Sequence, residues 1–195
     1  MKARTGALLC GGQSSRMGSD KALLEVESQP LWRLQLAKLR AVCDSVIVCG
    51  SPSQAALFAG ESVRFAADAV PGLGPLSGIA RALELAQTSH VLILAVDMPK
   101  MSEGYLRGLC DAVEERWGVV PEKDGAFEGL CAVYPTDLLP WIASLLSGAD
   151  RSLHALIRLG LENQMLRPRP IAPAELNLFE NWNTPSDITA PGPRH

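Results

Sequence analysis

A-L-L-C-G-G-Q-S-S-R-M-G-S-D-K, residues 7–21, sets the expectation for the whole fold: a buried strand that ends in a glycine-rich ligand loop. Gly6-Ala7-Leu8-Leu9-Cys10 is a short apolar run of strand type, and it halts at Gly11-Gly12, where the chain must turn. Gly11, Gly12 and Gly18 bracket a loop of small and polar residues. With no Cβ atoms in the way, backbone N–H groups there can close on an anion. Arg16 adds a planar fork of donors and Lys21 a compact ammonium, so the loop suits a polyphosphate. Neither common phosphate loop matches. The Walker pattern needs Lys and Ser/Thr directly after its last glycine, whereas Gly18 is followed by Ser19-Asp20-Lys21, and the dinucleotide fingerprint needs spaced glycines, not adjacent ones.

Outward from this loop, residues 22–26 continue as an extended segment, and Pro30 opens a helix whose apolar positions Leu31, Leu34, Leu36, Leu39 and Val42 recur at helical spacing. Residues 46–49 and 62–66 form the second and third strands, the latter leading to Asp68. The Gly- and Pro-dense stretch 68–78 runs into a helix over 76–87. Residues 90–96 are the most apolar run and end in Asp97-Met98-Pro99, which suits a central strand of a parallel sheet. A helix over 102–116 returns to Gly118-Val119-Val120-Pro121. Next come a strand over 130–134, helices over 136–146 and 152–159, and an edge strand at 165–167 with prolines behind it. Alternating strands and helices predict a single-domain α/β fold, doubly wound around a mostly parallel sheet, over residues 1–190, with Pro191 to His195 a disordered tail. In such sheets ligands bind at the carboxyl ends of the strands, where the Gly11 loop, Asp68 and Asp97 all fall.

Composition narrows the function classes. The 195 residues are 47% hydrophobic and 20% charged, which suits a soluble globular domain. A net charge of −3 with no basic run argues against nucleic acid, so an anionic nucleotide must be held by local groups. Five cysteines are scattered in apolar runs without metal-ligand spacing and read as reduced thiols of a cytoplasmic protein. Lys2 and Arg4 precede an apolar run too short for a secretion signal, and no stretch reaches membrane-spanning length.

Asp97 is the metal candidate. It stands at the mouth of a central strand, and Mg²⁺ favours one or two carboxylates together with phosphate oxygens and water; a turn or capping aspartate before Pro99 is the alternative. Asp68 is either a second acidic contact or a turn residue. Arg151, at a helix start after Gly148, either reaches an anionic phosphate or is solvated.

L-C-G-G-Q-S-S-R-M-G-S-D-K resembles the signature loop of the glycosyltransferase-A-type nucleotidyltransferases, and most closely that of the molybdenum cofactor guanylyltransferases, the MobA family. The resemblance continues through P-L-W at 30–32, G-P-L-S-G at 74–78, V-D-M-P at 96–99 and N-W-N-T-P-S-D at 181–187, nearly the whole chain in order. It implies a Rossmann-like fold of the nucleotide-diphospho-sugar transferase type. It further implies Mg²⁺-dependent transfer of GMP from GTP to the phosphate of molybdopterin, with release of pyrophosphate. Molybdoenzymes or chaperones would then receive the finished cofactor. On that resemblance Leu9, Cys10, Gly11 and Gly12 lie against the nucleotide and Lys21 contacts its phosphates. Arg16 offsets charge on the leaving group, and Asp68 and Asp97 contact the nucleotide, with Asp97 the magnesium ligand. Asn181 and Asn183, with Thr184, match the terminal motif on the acceptor side, where Arg151 is also a candidate; an Asn-rich turn ahead of Pro185 is the alternative reading of these residues. Two departures stand out: Cys49 replaces an asparagine that touches the nucleotide in the best-known members, and Glu128-Gly129-Leu130 replaces a polar or His-Pro-Leu sequence. Nothing in the loop discriminates the base. A cytidylyltransferase acting on molybdopterin or on a sugar or polyol phosphate stays open, as does a non-catalytic nucleotide or cofactor carrier.

Overall fold

In the computed structural model, which describes residues 4–11, 21–26, 28–67 and 74–182, the chain starts with β1 (Thr5–Leu9), buried along its whole length. It continues through a small hairpin, β2 (Glu25–Val26) and β3 (Gln29–Pro30), then α1 (Leu31–Val42), β4 (Ser45–Gly50), β5 (Arg64–Ala67), α2 (Pro75–Leu85), β6 (His90–Ala95) and α3 (Glu103–Asp111). The second half runs β7 (Gly118–Lys123), β8 (Ala126–Phe127), β9 (Cys131–Pro135), α4 (Leu139–Ser147), α5 (Leu153–Glu162) and β10 (Leu166–Pro170). The main sheet has the order β10-β7-β9-β6-β1-β4-β5, with β8 paired to β7.

β5, β4, β1 and β6 are mutually parallel, and β10 is parallel to β7. The expected doubly wound α/β sheet is present, with β6 central and buried from Val91 to Ala95. β9 is the exception, running antiparallel to both β6 and β7. A parallel return needs a crossover of about a dozen residues or more, and residues 124–130 are too short for one. The turn at their start is tight, with Asp124 at φ 51° and Gly125 at φ 81°.

Strand alternation divides the core between two faces. Leu8, Val48, Leu92 and Leu94 face α1 and α3, packing with Leu36, Leu39, Leu106 and Leu109. Ala7, Leu9, Ile47 and Ile93 face the other way, with Leu76 and Ile79 of α2, Ile142 of α4 and Leu156 of α5. Pro168 and Pro170 lie in β10 at the sheet edge, where a missing N–H costs nothing.

Two local expectations need correction. Residues 22–26 are not one extended segment: Lys21–Leu23 forms a 3-10 turn closed by Leu24 N donating to Lys21 O at 3.1 Å. The chain then turns back through Ser28, at φ 64°, and Leu31 N donates to Leu24 O at 2.8 Å. α3 starts at the expected cap, where Ser102 Oγ accepts from Tyr105 N at 3.2 Å, but it stops at Asp111 because Glu114 and Trp117 pair in a bridge that turns the chain toward β7. None of the five cysteines is in a disulfide; four are buried and Cys110 is half-buried. Among the described residues no helix is long and apolar enough to cross a membrane.

Gly118, at the start of β7, lets β9 and β10 approach closely. A Cβ there would meet the Val133 carbonyl oxygen, and would lie 2.7 Å from Pro135 Cδ and 2.8 Å from Leu166 Cδ2. Gly118→Ala is expected to cost about 2 kcal/mol, roughly 6 °C in Tm by calorimetry, because a backbone carbonyl cannot move aside. An unchanged Tm would show that β7 and β9 separate freely.

Candidate active site

The carboxyl ends of β1, β4 and β6 meet at one edge. Val96 N donates to Leu9 O at 3.0 Å and Cys10 N donates to Cys49 O at 2.8 Å, which carries the pairing one residue past each strand. Leu9 and Cys10 are buried and their bonded backbone groups are committed to the sheet, whereas Gly11 is exposed at the mouth. The Cys10 carbonyl also accepts from Gln54 Nε2 at 3.3 Å, while Gln54 Oε1 accepts from Ser51 N at 2.9 Å. Gln54 is a buried side chain supporting the end of β1, and sequence reasoning passed over it. The one signal was an amide following Gly50-Ser51-Pro52 at the end of a buried strand.

Lys21 and Asp97 come together here. Lys21 Nζ lies 3.0 Å from Asp97 Oδ2, with their side chains 25% and 17% exposed. This contact joins the last residue of the glycine-rich stretch to the end of β6. Asp97 Oδ1 is buried and has no hydrogen-bond partner among the described residues. An ionised oxygen left without a partner is costly, by about 1–3 kcal/mol or more, so this one is poised to receive a donor or a cation. Among the described residues no three acidic, histidine or cysteine side chains cluster as a ready-made metal cage, so a cation at Asp97 would draw its other ligands from elsewhere.

The C-terminal stretch reaches the same place. Trp182 N donates to Asp97 O at 2.8 Å, which brings exposed Asn181 beside the β6 turn, and Lys100 Nζ pairs with Glu180 Oε2 at 2.6 Å. The 128–130 loop also borders this edge, since Ala95 N donates to Leu130 O at 2.9 Å. Burial pushes the half-buried Glu128 carboxyl above the usual carboxylate range. Arg151 is exposed and its Nε donates to Gly148 O at 3.2 Å, which caps the end of α4. It stands two residues before Leu153, whose side chain would clash with a Cβ at Gly129, so the start of α5 adjoins the 128–130 loop. Cys49 is 1% exposed and packs with Leu9 and Ile47 in the core, a setting for an apolar thiol. Gly12, Arg16, Asp68, Asn183 and Thr184 lie outside the described residues, as does the expected tail from Pro191 to His195.

A family model for the MobA-like NTP transferase domain matches residues 6–166. A relative from Natronomonas pharaonis, named a probable molybdenum cofactor guanylyltransferase, is 34% identical over 96% of this chain and 96% of its own length. One of the same name from Opitutus terrae is 31% identical over 95% and 93%. The solved structure of molybdopterin-guanine dinucleotide biosynthesis protein A from Archaeoglobus fulgidus superposes with a TM-score of 0.73 at 23% identity, covering 95% of both chains. A nucleotidyl transferase from Methanothermobacter thermautotrophicus superposes at 0.78 with 18% identity, covering 97% of this chain and 95% of that one.

Proposed function

Because this chain belongs to the MobA-like NTP transferase family, we propose that it is a nucleotidyltransferase that moves GMP from GTP to the phosphate of molybdopterin, forming the guanine dinucleotide cofactor and releasing pyrophosphate. The observation that carries this reading is the pairing of Lys21 with Asp97 at the mouth of β1 and β6, with one carboxylate oxygen of Asp97 buried and unpartnered among the described residues. In the reaction an oxygen of the acceptor phosphate attacks the α-phosphorus, a P–O bond forms, and the bond to the bridging oxygen breaks with the electron pair leaving on pyrophosphate. No protein nucleophile is needed, so positioning and charge stabilisation supply the catalysis.

Each residue has a part within this scheme. Gly11, exposed at the end of β1, gives the nucleotide an approach that no Cβ obstructs. Lys21 holds a fixed positive charge at the same edge and offsets the charge that grows on the phosphates. Arg16 serves the leaving group, and Gly12 and Asp68 border the nucleotide. Asn181 and Asn183, with Arg151, face the acceptor. The residues present fit Mg²⁺, since Asp97 offers one hard oxygen and the phosphates and water complete the shell. When bound, Mg²⁺ supplies Lewis-acid stabilisation of the reacting phosphates. A cytoplasmic setting goes with this reading, since cysteines outside disulfides suit a reducing compartment. Molybdoenzymes or their chaperones are the proposed recipients of the product.

The test is pyrophosphate release by the purified protein with Mg²⁺ and molybdopterin, with GTP, CTP, ATP and UTP supplied separately. Release with GTP alone is expected. Release with CTP alone would make the chain a cytidylyltransferase, and none with any nucleotide would leave a carrier.

A further inference from the structure

α1 buries an amide where its core face calls for an apolar side chain. Gln35 is fully buried between Trp32 and Leu36, both core residues. Its Nε2 donates to Met98 O at 2.5 Å and lies 3.5 Å from Val96 O. The two neighbours are carbonyl oxygens, so the amide nitrogen and not its oxygen must face them. Those carbonyls flank Asp97 on either side. Three residues along α1, Lys38 Nζ donates to Pro99 O at 2.6 Å. The turn is held from other directions as well, by Trp182 N on Asp97 O at 2.8 Å and Met101 N on Met98 O at 3.1 Å. Every carbonyl from Val96 to Pro99 therefore faces a donor, and two of those donors are side chains on successive turns of α1.

We propose that Gln35 is a positioning residue: its buried amide fixes the 96–99 turn and thereby the direction in which Asp97 presents its carboxylate to the nucleotide edge. A turn that leaves a strand has two rotatable bonds per residue and no ladder to define it. Lys38 is half-buried and its burial lowers the ammonium pKa, but it grips the far end of the turn; among the described residues Gln35 is the one side chain that reaches both sides of Asp97. Gln35 Oε1 is buried with no hydrogen-bond partner among the described residues, so the amide acts through Nε2, whose bond to the Met98 carbonyl and approach to the Val96 carbonyl add geometric definition that a leucine at this position could not supply. Supporting groups behind a functional side chain typically change affinity or rate by about 10- to 100-fold when removed. The role rests on the proposed nucleotidyltransferase reading, in which Asp97 is functional.

The test uses the full chain with Gln35→Met, which keeps length and volume but cannot donate, and Ile142→Ala as a destabilised control in the remote α4 core. Gln35→Met is expected to lower kcat by about 10- to 100-fold and raise the half-saturating Mg²⁺ concentration about tenfold, with KM for GTP changed less than about threefold. Amide hydrogen exchange, measured without nucleotide or metal, should quicken by about tenfold at Met101 and Trp182 while the β1 and β6 amides stay protected. Ile142→Ala should keep its kcat per folded molecule. Unchanged exchange at Met101 and Trp182 in Gln35→Met would overturn the positioning role, as would a kcat equal to that of the control. Because exchange is read without substrate, it separates the two failures: a wild type with no turnover removes the proposed function, whereas unchanged exchange removes the role of Gln35.

Discussion

Asp97→Asn is expected to lower kcat for pyrophosphate release by about a thousandfold, roughly 4 kcal/mol of transition-state stabilisation, with Tm within about 3 °C of wild type. The substitution keeps the shape of the side chain and one carbonyl oxygen for Lys21, 3.0 Å away, but removes the charge that would hold a hard cation. The fold should tolerate it, because the 96–99 turn is secured through its backbone carbonyls and not through the Asp97 side chain. Steady-state kinetics at saturating GTP with a Mg²⁺ titration is the measurement. An unchanged rate would remove Asp97 from the metal site, and a large fall in Tm with proportional loss of rate would make it a structural residue.

Lys21→Ala should cost about 3 kcal/mol in kcat/KM, a loss of roughly two orders of magnitude, since a preorganised charged donor in a partly dry site is worth more than the same charge in water. Lys21→Arg should recover little of it, because the guanidinium fork cannot place a point charge at the ammonium position. Lys21 and Asp97 are in contact, so their effects should not add: the double variant is expected to fall short of the summed losses by about 1 kcal/mol or more. Strict additivity would mean that the two groups act on different parts of the reaction. Single-turnover measurements of the four proteins in the cycle decide between these outcomes.

The local chemistry of the site could be read in the chain. Gly11 had to be a turn because an apolar run stopped there, and Asp97 had to stand at the mouth of the most apolar strand. Lys21 was marked as a phosphate-directed charge by its place at the end of the glycine-rich stretch. Their meeting at 3.0 Å was not legible, since the two residues are 76 apart and join only when β1 and β6 pair in register. Gln35 and Gln54 were hidden for a different reason. A glutamine in a helical or turn segment usually points to solvent, and burial appears only after the neighbouring carbonyls are in place.

By itself, then, the sequence determined the main strands and helices and the parallel half of the sheet, though not the 3-10 turn at Lys21–Leu23 or the early end of α3, because hydrophobic periodicity and glycine placement act over a few residues and need no partner. It also placed Asp97 beyond the end of β6. Tertiary structure alone decided that β9 runs antiparallel between β6 and β7, because connection length and pairing compete across the whole sheet. It alone decided that the backbone of Trp182 closes on Asp97 and that two side chains of α1 hold the turn carrying it. Those contacts join residues 61 to 85 positions apart, and no local periodicity encodes a hydrogen bond between a side chain and a distant carbonyl.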